Sequence, residues 1–446
     1  MLSRLHQAAQ DGNWNLANDL LHKGEDVNQK RNFQVRFYFG HQTTALHVAC
    51  GAGHLKIARL LLDRGADVDA TCARGWTPLH SACESRHIDI AQILLDHGAD
   101  LEARTAERWT PLSVASRDEE WEGTRLLLDH GADLNVQDRE GDTPLHGACR
   151  NDLDDTVRLF VERGAAVNVT NDMDETPMFV ACQRQNLEII RLLLEGGADL
   201  EDFTEEPPLH HVCRLGHLET VRLLLDSGAN LEGRNHHGQT PLLTACTFGH
   251  LDVAQLLLDR HADLDSKDDE GDTSLLAACK SCHEDLVAFL ADAGANINIH
   301  EELRGWAPLH VASENGRANI VALLLDSGAD VESLGRDNFT PLHTACGLCG
   351  FGQMEVVRLL LDQHSNLEAR TNGGYTPLHL ACEHADMETV RLLLDRGANV
   401  RARTEGGMTP LPLAAEKDSH EVVWLLLHRY PWLVIDNPDD QANPQT

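Results

Sequence analysis

Apolar positions recur in short, helix-spaced clusters along the whole chain, never in long runs. Residues 74–103 show the arrangement. Thr77 has the short hydroxyl of an N-cap, and Pro78 follows where a missing N–H does no harm. The pattern predicts a first helix from there to about Ser85 and a second from about Ile88 to His97. The second presents Ile90, Ala91, Ile93, Leu94 and Leu95 as its apolar face. Gly98 suits a left-handed helix end, and the following Ala-Asp-Leu-Glu-Ala reads as an extended turn or β-hairpin finger.

The same grammar is written thirteen times, anchored on Thr-Pro-Leu-His or a variant beginning at Ser3, Thr44, Thr77, Thr110, Thr143, Thr176, Pro207, Thr240, Thr273, Ala307, Thr340, Thr376 and Thr409. Eight of the twelve spacings are 33 residues, so the repetition is a register. Helices this short are marginal alone and gain stability only by stacking on the next copy. The expected fold is an all-α repeat solenoid. The period, Thr-Pro-Leu-His, the Gly-His-Leu junctions at Gly53, Gly216 and Gly249, and the Leu-Leu-Leu-Asp-x-Gly-Ala-Asp endings resemble ankyrin-repeat proteins. The resemblance runs from about Ser3 to His428. It implies stacked helix-turn-helix repeats with β-hairpin fingers, which bind proteins through finger tips and a concave helix face, without catalysis or cofactor. The expected organisation is an array over 1–428 with an enlarged finger at 29–43, then a cap and disordered polar tail over 429–446.

Charge narrows the partners. The chain of 446 residues has 37 Lys+Arg against 71 Asp+Glu, a formal net charge of −34. Phosphate affinity comes from a surplus of basic residues, so nucleic acid and anionic membrane surfaces are poor partners. No apolar run approaches the roughly 18 residues of a membrane span, and the N-terminus lacks the apolar core of a signal peptide. A soluble, intracellular monomer, cytoplasmic or nuclear, is expected.

Much apparent chemistry is absorbed by the register. Nine of the 12 cysteines (Cys50, Cys83, Cys149, Cys182, Cys213, Cys246, Cys279, Cys346 and Cys382) occupy one position of the first helix and read as small core residues, leaving Cys72, Cys282 and Cys349 as outliers. Cys279-Lys280-Ser281-Cys282-His283 mimics a haem-attachment motif and Cys346-Gly347-Leu348-Cys349 a redox pair, but each contains a register cysteine and lacks the surrounding fold. No metal or cofactor is expected. Eight histidines are the fourth letter of the pattern and should order the turn through local hydrogen bonds. The acidic residue at the Leu-Leu-Leu-Asp position often has Arg four residues earlier, as in Arg125/Asp129 and Arg158/Glu162, predicting surface pairs along one helix.

Recognition should lie where the copies differ. The residue before the pattern's Thr is expected at an exposed finger tip. From the third copy it reads Trp76, Trp109, Asp142, Glu175, Glu206, Gln239, Asp272, Trp306, Phe339, Tyr375 and Met408. Two aromatic groups thus flank a polar, acidic middle. Trp76, Trp109, Trp306, Phe339 and Tyr375 are candidate partner-binding residues, since such rings dominate interface hot spots; packing on the neighbouring finger is the competing role. The second candidate is the stretch Gln29–Thr43, basic and aromatic in an acidic protein, where Arg36, Phe37, Tyr38 and Phe39 would either dock a partner or pack over the first repeat. Trp14 and Trp121, where the second helix usually begins with Leu, read as core. Tyr430 to Ile435 reads as a terminal cap or a docking segment, beside Trp424 at a usually exposed Arg position.

These features point to a scaffold or adaptor for one or more proteins, a basic-surfaced partner among the candidates. The alternatives are a substrate-recognition subunit of a ubiquitin ligase and a fragment of a larger ankyrin-containing signalling protein. Catalytic residues are not expected: no nucleophile triad, phosphate loop or His-Glu-x-x-His stands out from the repeat background. The resemblance also implies candidate hydroxylation positions at Asn28, Asn135 and Asn298, against a purely turn-stabilising role.

Overall fold

The computed structural model describes residues 4–35, 38–119, 121–201, 206–347, 353–417 and 419–434. They fall into two compact units, Met1–His211 with Asp226–Ala229, and Val212–Leu225 with Asn230–Thr446. Each unit is a stack of antiparallel helix pairs, and each pair is one sequence repeat.

The repeat in unit 1 that begins at Thr77 is representative. Its helices are Pro78–Glu84 and Ile88–Asp96, within a residue of the sequence reading. The first buries Leu79, His80, Ala82 and Cys83, and the second Ile90, Ala91, Ile93 and Leu94. First helices pack on first helices and second on second, so each apolar stripe is covered by the copies beside it. The Gly-His junction has a steric cause. Gly53 sits at φ 81° under the ring of His87 in the next repeat, where a Cβ would lie 2.6 Å from the ring.

The register histidines tie the stack together. Thr77 caps its helix by accepting the His80 N–H, and its own N–H donates to His80 Nδ1 at 3.2 Å. The ring then reaches the next repeat, with Nε2 2.9–3.0 Å from a carbonyl 29 residues on: His47 to Trp76 and His80 to Trp109 in unit 1, His310 to Phe339 in unit 2. An Nε2 facing a carbonyl must carry the proton, so Nδ1 is the acceptor and the ring is neutral. Burial holds His47, His80, His310 and His343 at a pKa of about 4. All nine register cysteines are buried, and burial pushes the thiols of Cys83, Cys182, Cys246 and Cys382 up to about 12. Cys72 and Cys282 are half-buried and free, and Cys349 lies outside the described residues.

The fingers are closed by turns. Thr105 donates to the Trp109 carbonyl at 3.0 Å, and Ala106 donates to Arg74 of the previous finger at 2.8 Å. Strand pairing, among the described residues, occurs at the enlarged finger: β1 (Arg31–Val35) runs antiparallel to β2 (Tyr38–Thr43), with Val35 opposite Tyr38 and an irregularity between Arg31 and Phe33. Arg36 and Phe37 lie outside the described residues, as do the side chains of Tyr38 and Phe39.

Three expectations need correction. Trp14 is 42% exposed and Trp121 half-buried, so neither is core. The opening residue of the second helix is only half covered even as Leu55, Ile88 or Leu187, and a larger ring extends beyond that cover. The predicted pairs within one helix are mostly redirected. Arg125–Asp129 forms at 3.7 Å, but Arg158 turns to Glu188 of the next repeat and Arg191, Arg222 and Arg358 to a Glu three residues before. The acids Asp129, Asp362 and Asp395 instead meet Arg163, Arg396 and Arg429 from the following repeat. Lastly, the residue before the pattern's Thr is not a free tip: Trp76 is only 5% exposed, and the rest of that column is half-buried or buried.

Candidate functional site

The column lies at the base of the fingers because the finger chain turns there into the first helix. At Trp109, Asp142, Glu175 and Asp272 the side chain meets the residue eight positions further along, on that helix. Four of the five rings also approach the register histidine of their own repeat: Trp76–His80 5.6 Å, Trp306–His310 6.2 Å, Phe339–His343 5.7 Å and Tyr375–His379 6.0 Å between centroids.

In unit 1 the pairing across this groove changes from repeat to repeat. Arg117 lies over the Trp109 ring at 4.3 Å, while the indole N–H donates to Asp138 at 3.1 Å. These contacts border a cleft of about 320 Å³ lined by Glu84, Trp109, Val114, Arg117, Asp118 and Asn151. In the next repeat Arg150 pairs with Asp142 and approaches Glu175 at 3.5 Å. Gln183 then donates to Glu175 at 3.2 Å. The Arg150 guanidinium and Asn171 amide outweigh burial and hold the Asp142 carboxyl below the usual range.

Unit 2 repeats the arrangement with other residues. Lys280 contacts Asp272 at 2.6 Å and Glu301 at 3.2 Å. Arg304 covers Trp306 at 4.5 Å and is itself held by Glu314 at 3.0 Å. The acidic middle read from sequence is thus partly neutralised in both units: Asp142 and Glu175 by Arg150, Asp272 by Lys280. Arg117, Arg150 and Lys280 were not singled out from the sequence. Their signal is a matched residue eight positions after four of the column residues, Trp109/Arg117, Asp142/Arg150, Glu175/Gln183 and Asp272/Lys280.

The structure places each candidate Asn in a staple between fingers. Asn28 accepts the Asp67 N–H at 2.8 Å, Asn135 the Ala166 N–H at 2.9 Å, and Asn298 the Asp330 N–H at 2.8 Å. Asn168 does the same for Asp199 at 2.9 Å. Acids fill the position elsewhere: Glu102 accepts from Asp133, Glu232 from Asp263 and Glu368 from Asn399. Part of the chain's acidity is therefore structural, serving finger N–H groups that no helix or strand satisfies.

The terminal segment forms a short 3-10 helix, Pro431–Val434, with Trp432 under Arg401 at 4.0 Å and against Tyr430 at 5.6 Å. Trp424 is 63% exposed and stacks on His428 at 4.7 Å. Among the described residues, no group of three His, Cys, Asp or Glu is arranged to hold a metal ion, and no helix is long and apolar enough to cross a membrane.

Comparison with known proteins agrees with this geometry. The family profile described as ankyrin repeats (3 copies) matches residues 5–105, 102–171, 155–235, 178–268, 232–301, 297–371 and 348–435. Among curated proteins, the potassium channel AKT1 of Oryza sativa subsp. indica is 41% identical over 71 residues, 16% of this chain and 7% of the channel. The same channel from subsp. japonica matches to the same extent. The chain thus covers a small fraction of those relatives' length, and the likeness is one of a few repeats.

Proposed function

Because this chain belongs to the ankyrin-repeat family, whose repeats are protein-interaction domains, we propose that it is a non-enzymatic scaffold or adaptor. It binds protein partners, in each unit, along the groove between finger bases and first helices. One observation carries this reading: the stacking residues hardly vary between copies, whereas the residues facing the groove change as matched pairs. A surface that only had to stack would not need a Trp–Arg pair in one repeat and an Asp–Lys pair in another. Trp and Arg also carry much of the energy at protein interfaces.

In this reading Trp109, Trp306, Phe339 and Tyr375 contribute half-buried faces to recognition. Trp76 supports the groove from beneath. Arg36, Phe37, Tyr38 and Phe39 are a second set of candidate partner contacts. Asn28, Asn135 and Asn298 become hydroxylation sites only when a finger opens, because their amides are engaged in the closed stack. The test is affinity capture with mass spectrometry on the full chain, comparing wild type with Trp109→Ala/Arg117→Ala and with Trp306→Ala/Phe339→Ala. The expected result is loss of a specific partner at unchanged helical content. Identical capture by both variants would discard the groove.

A further inference from the structure

Unit 2 contains a cleft of about 340 Å³ in this groove. His236 and His237 form one wall, and Asp268, Asp269, Glu270 and Asp272 of the next finger form the other. Asp272 is the counterpart of Asp142 in unit 1, and the two are satisfied differently. Both oxygens of Asp142 are served, one by Arg150 and the other by the Asn171 amide at 2.9 Å. Asp272 is only 6% exposed. Its Oδ2 takes Lys280 at 2.6 Å, and its Oδ1 is buried with no hydrogen-bond partner.

The missing donor has a sequence cause. Asn171 sits where its backbone N–H closes the finger onto the Glu175 carbonyl at 3.0 Å; Glu301 holds the same place, closing onto Trp306 at 3.0 Å. An ionised Glu accepts and cannot donate. One ammonium therefore serves two nearly buried carboxylates, Asp272 and Glu301, beside three further acids on the rim. Burial pushes the Asp272 carboxyl up, and Lys280 offsets this only in part.

We infer that this cleft receives an arginine side chain from a basic, extended segment of a partner protein, its guanidinium supplying the donor that Asn171 supplies in unit 1. The inference rests on the protein-binding reading of the groove. Guanidinium suits the place because its planar donors can serve two carboxylates at once. Lys280, with 36% of its side chain exposed, turns outward to make room. Neighbouring basic residues of the segment meet Asp269 and Glu270 on the exposed rim.

The test uses the full chain and a fluorescein-labelled peptide with three consecutive arginines, against its citrulline counterpart, by anisotropy at 0.15 M salt. Binding of the arginine peptide alone is expected. Asp272→Asn, and Glu301→Asn, which restores the internal donor, should each weaken it about tenfold or more. Asp155→Asn, which removes one charge elsewhere, should leave it unchanged. Lys280→Gln should tighten it several-fold, a gain that a misfolded variant would not show. Equal binding of both peptides, equal loss with Asp155→Asn, or weaker binding by Lys280→Gln would overturn the cleft. If Trp109→Ala/Arg117→Ala loses partner capture while the cleft variants bind peptide like wild type, the cleft fails and the groove stands. If the peptide behaves as expected while capture survives every groove variant, the broader reading fails instead.

Discussion

At the scale of single residues, position in the register decides what a side chain can do. A register histidine performs two jobs, accepting the Thr N–H within its repeat and donating to a carbonyl of the next. His343→Leu should therefore cost about 1–3 kcal/mol, because the Tyr375 carbonyl and the Thr340 N–H lose their partner. Hydrogen exchange over 340–376 in the full chain would register it as faster opening; unchanged protection would show the bridge to be dispensable. Leu243 and Leu276 stand at the same register position in unit 2, so its loss is tolerable where neighbouring packing compensates. The aromatic column separates by burial in the same way. Trp76→Ala should lose about 3–5 kcal/mol in urea denaturation, as large core truncations do. Trp109→Ala, half-exposed beneath Arg117, should lose partner capture before stability. Loss of equal size in both would remove the distinction. None of this was legible from Trp76 and Trp109 themselves, which look alike in sequence; burial depends on the finger and helix of the adjoining repeats.

At the scale of elements, the helices follow their sequence closely while the fingers follow their neighbours. Thr, Pro and the apolar spacing act within a few residues, so Pro78–Glu84 and Ile88–Asp96 are where the pattern puts them. Finger geometry instead depends on groups about 31 residues apart, such as Asn135 with the Ala166 N–H. Asn135→Ala should loosen that contact, costing about 1 kcal/mol, whereas Asn135→Asp should keep it because a carboxylate accepts equally well, as Glu102 does one repeat earlier. Exchange rates at Ala166 in the two variants check this; identical rates would deny the staple. The redirected ion pairs have a similar cause. Arg158 reaches Glu188 of the next repeat at 2.7 Å, a partner that spacing within its own helix does not specify.

At the scale of the whole molecule, repetition multiplies small local effects. Four register histidines hold a folded pKa of about 4 against an ordinary 6.5. A lowered histidine pKa means that the unfolded chain binds the proton more readily. The stability these rings provide is complete above about pH 6.5, falls as pH drops from 6.5 toward 4, and changes no further below that. Each accounts for about 3 kcal/mol over the window. Thermal unfolding followed by circular dichroism should show progressive loss of stability across it, diminished when the four are replaced by leucine; a flat profile in wild type would contradict the neutral bridging ring. The net charge of −34 is likewise distributed work. Some acids accept finger N–H groups, some pair with the next repeat, and Asp272 at the unit 2 cleft keeps one oxygen without a donor. The sequence by itself determined the period, the helices, the family and the inert register of cysteines, because these follow from interactions within a few residues repeated at fixed spacing. Only the tertiary structure decided that Trp76 is covered, that Arg150 and Lys280 face the acids, and that Asp272 keeps an unserved oxygen. Those outcomes depend on what the adjoining repeat places opposite each side chain, and spacing along one strand of sequence does not specify that partner.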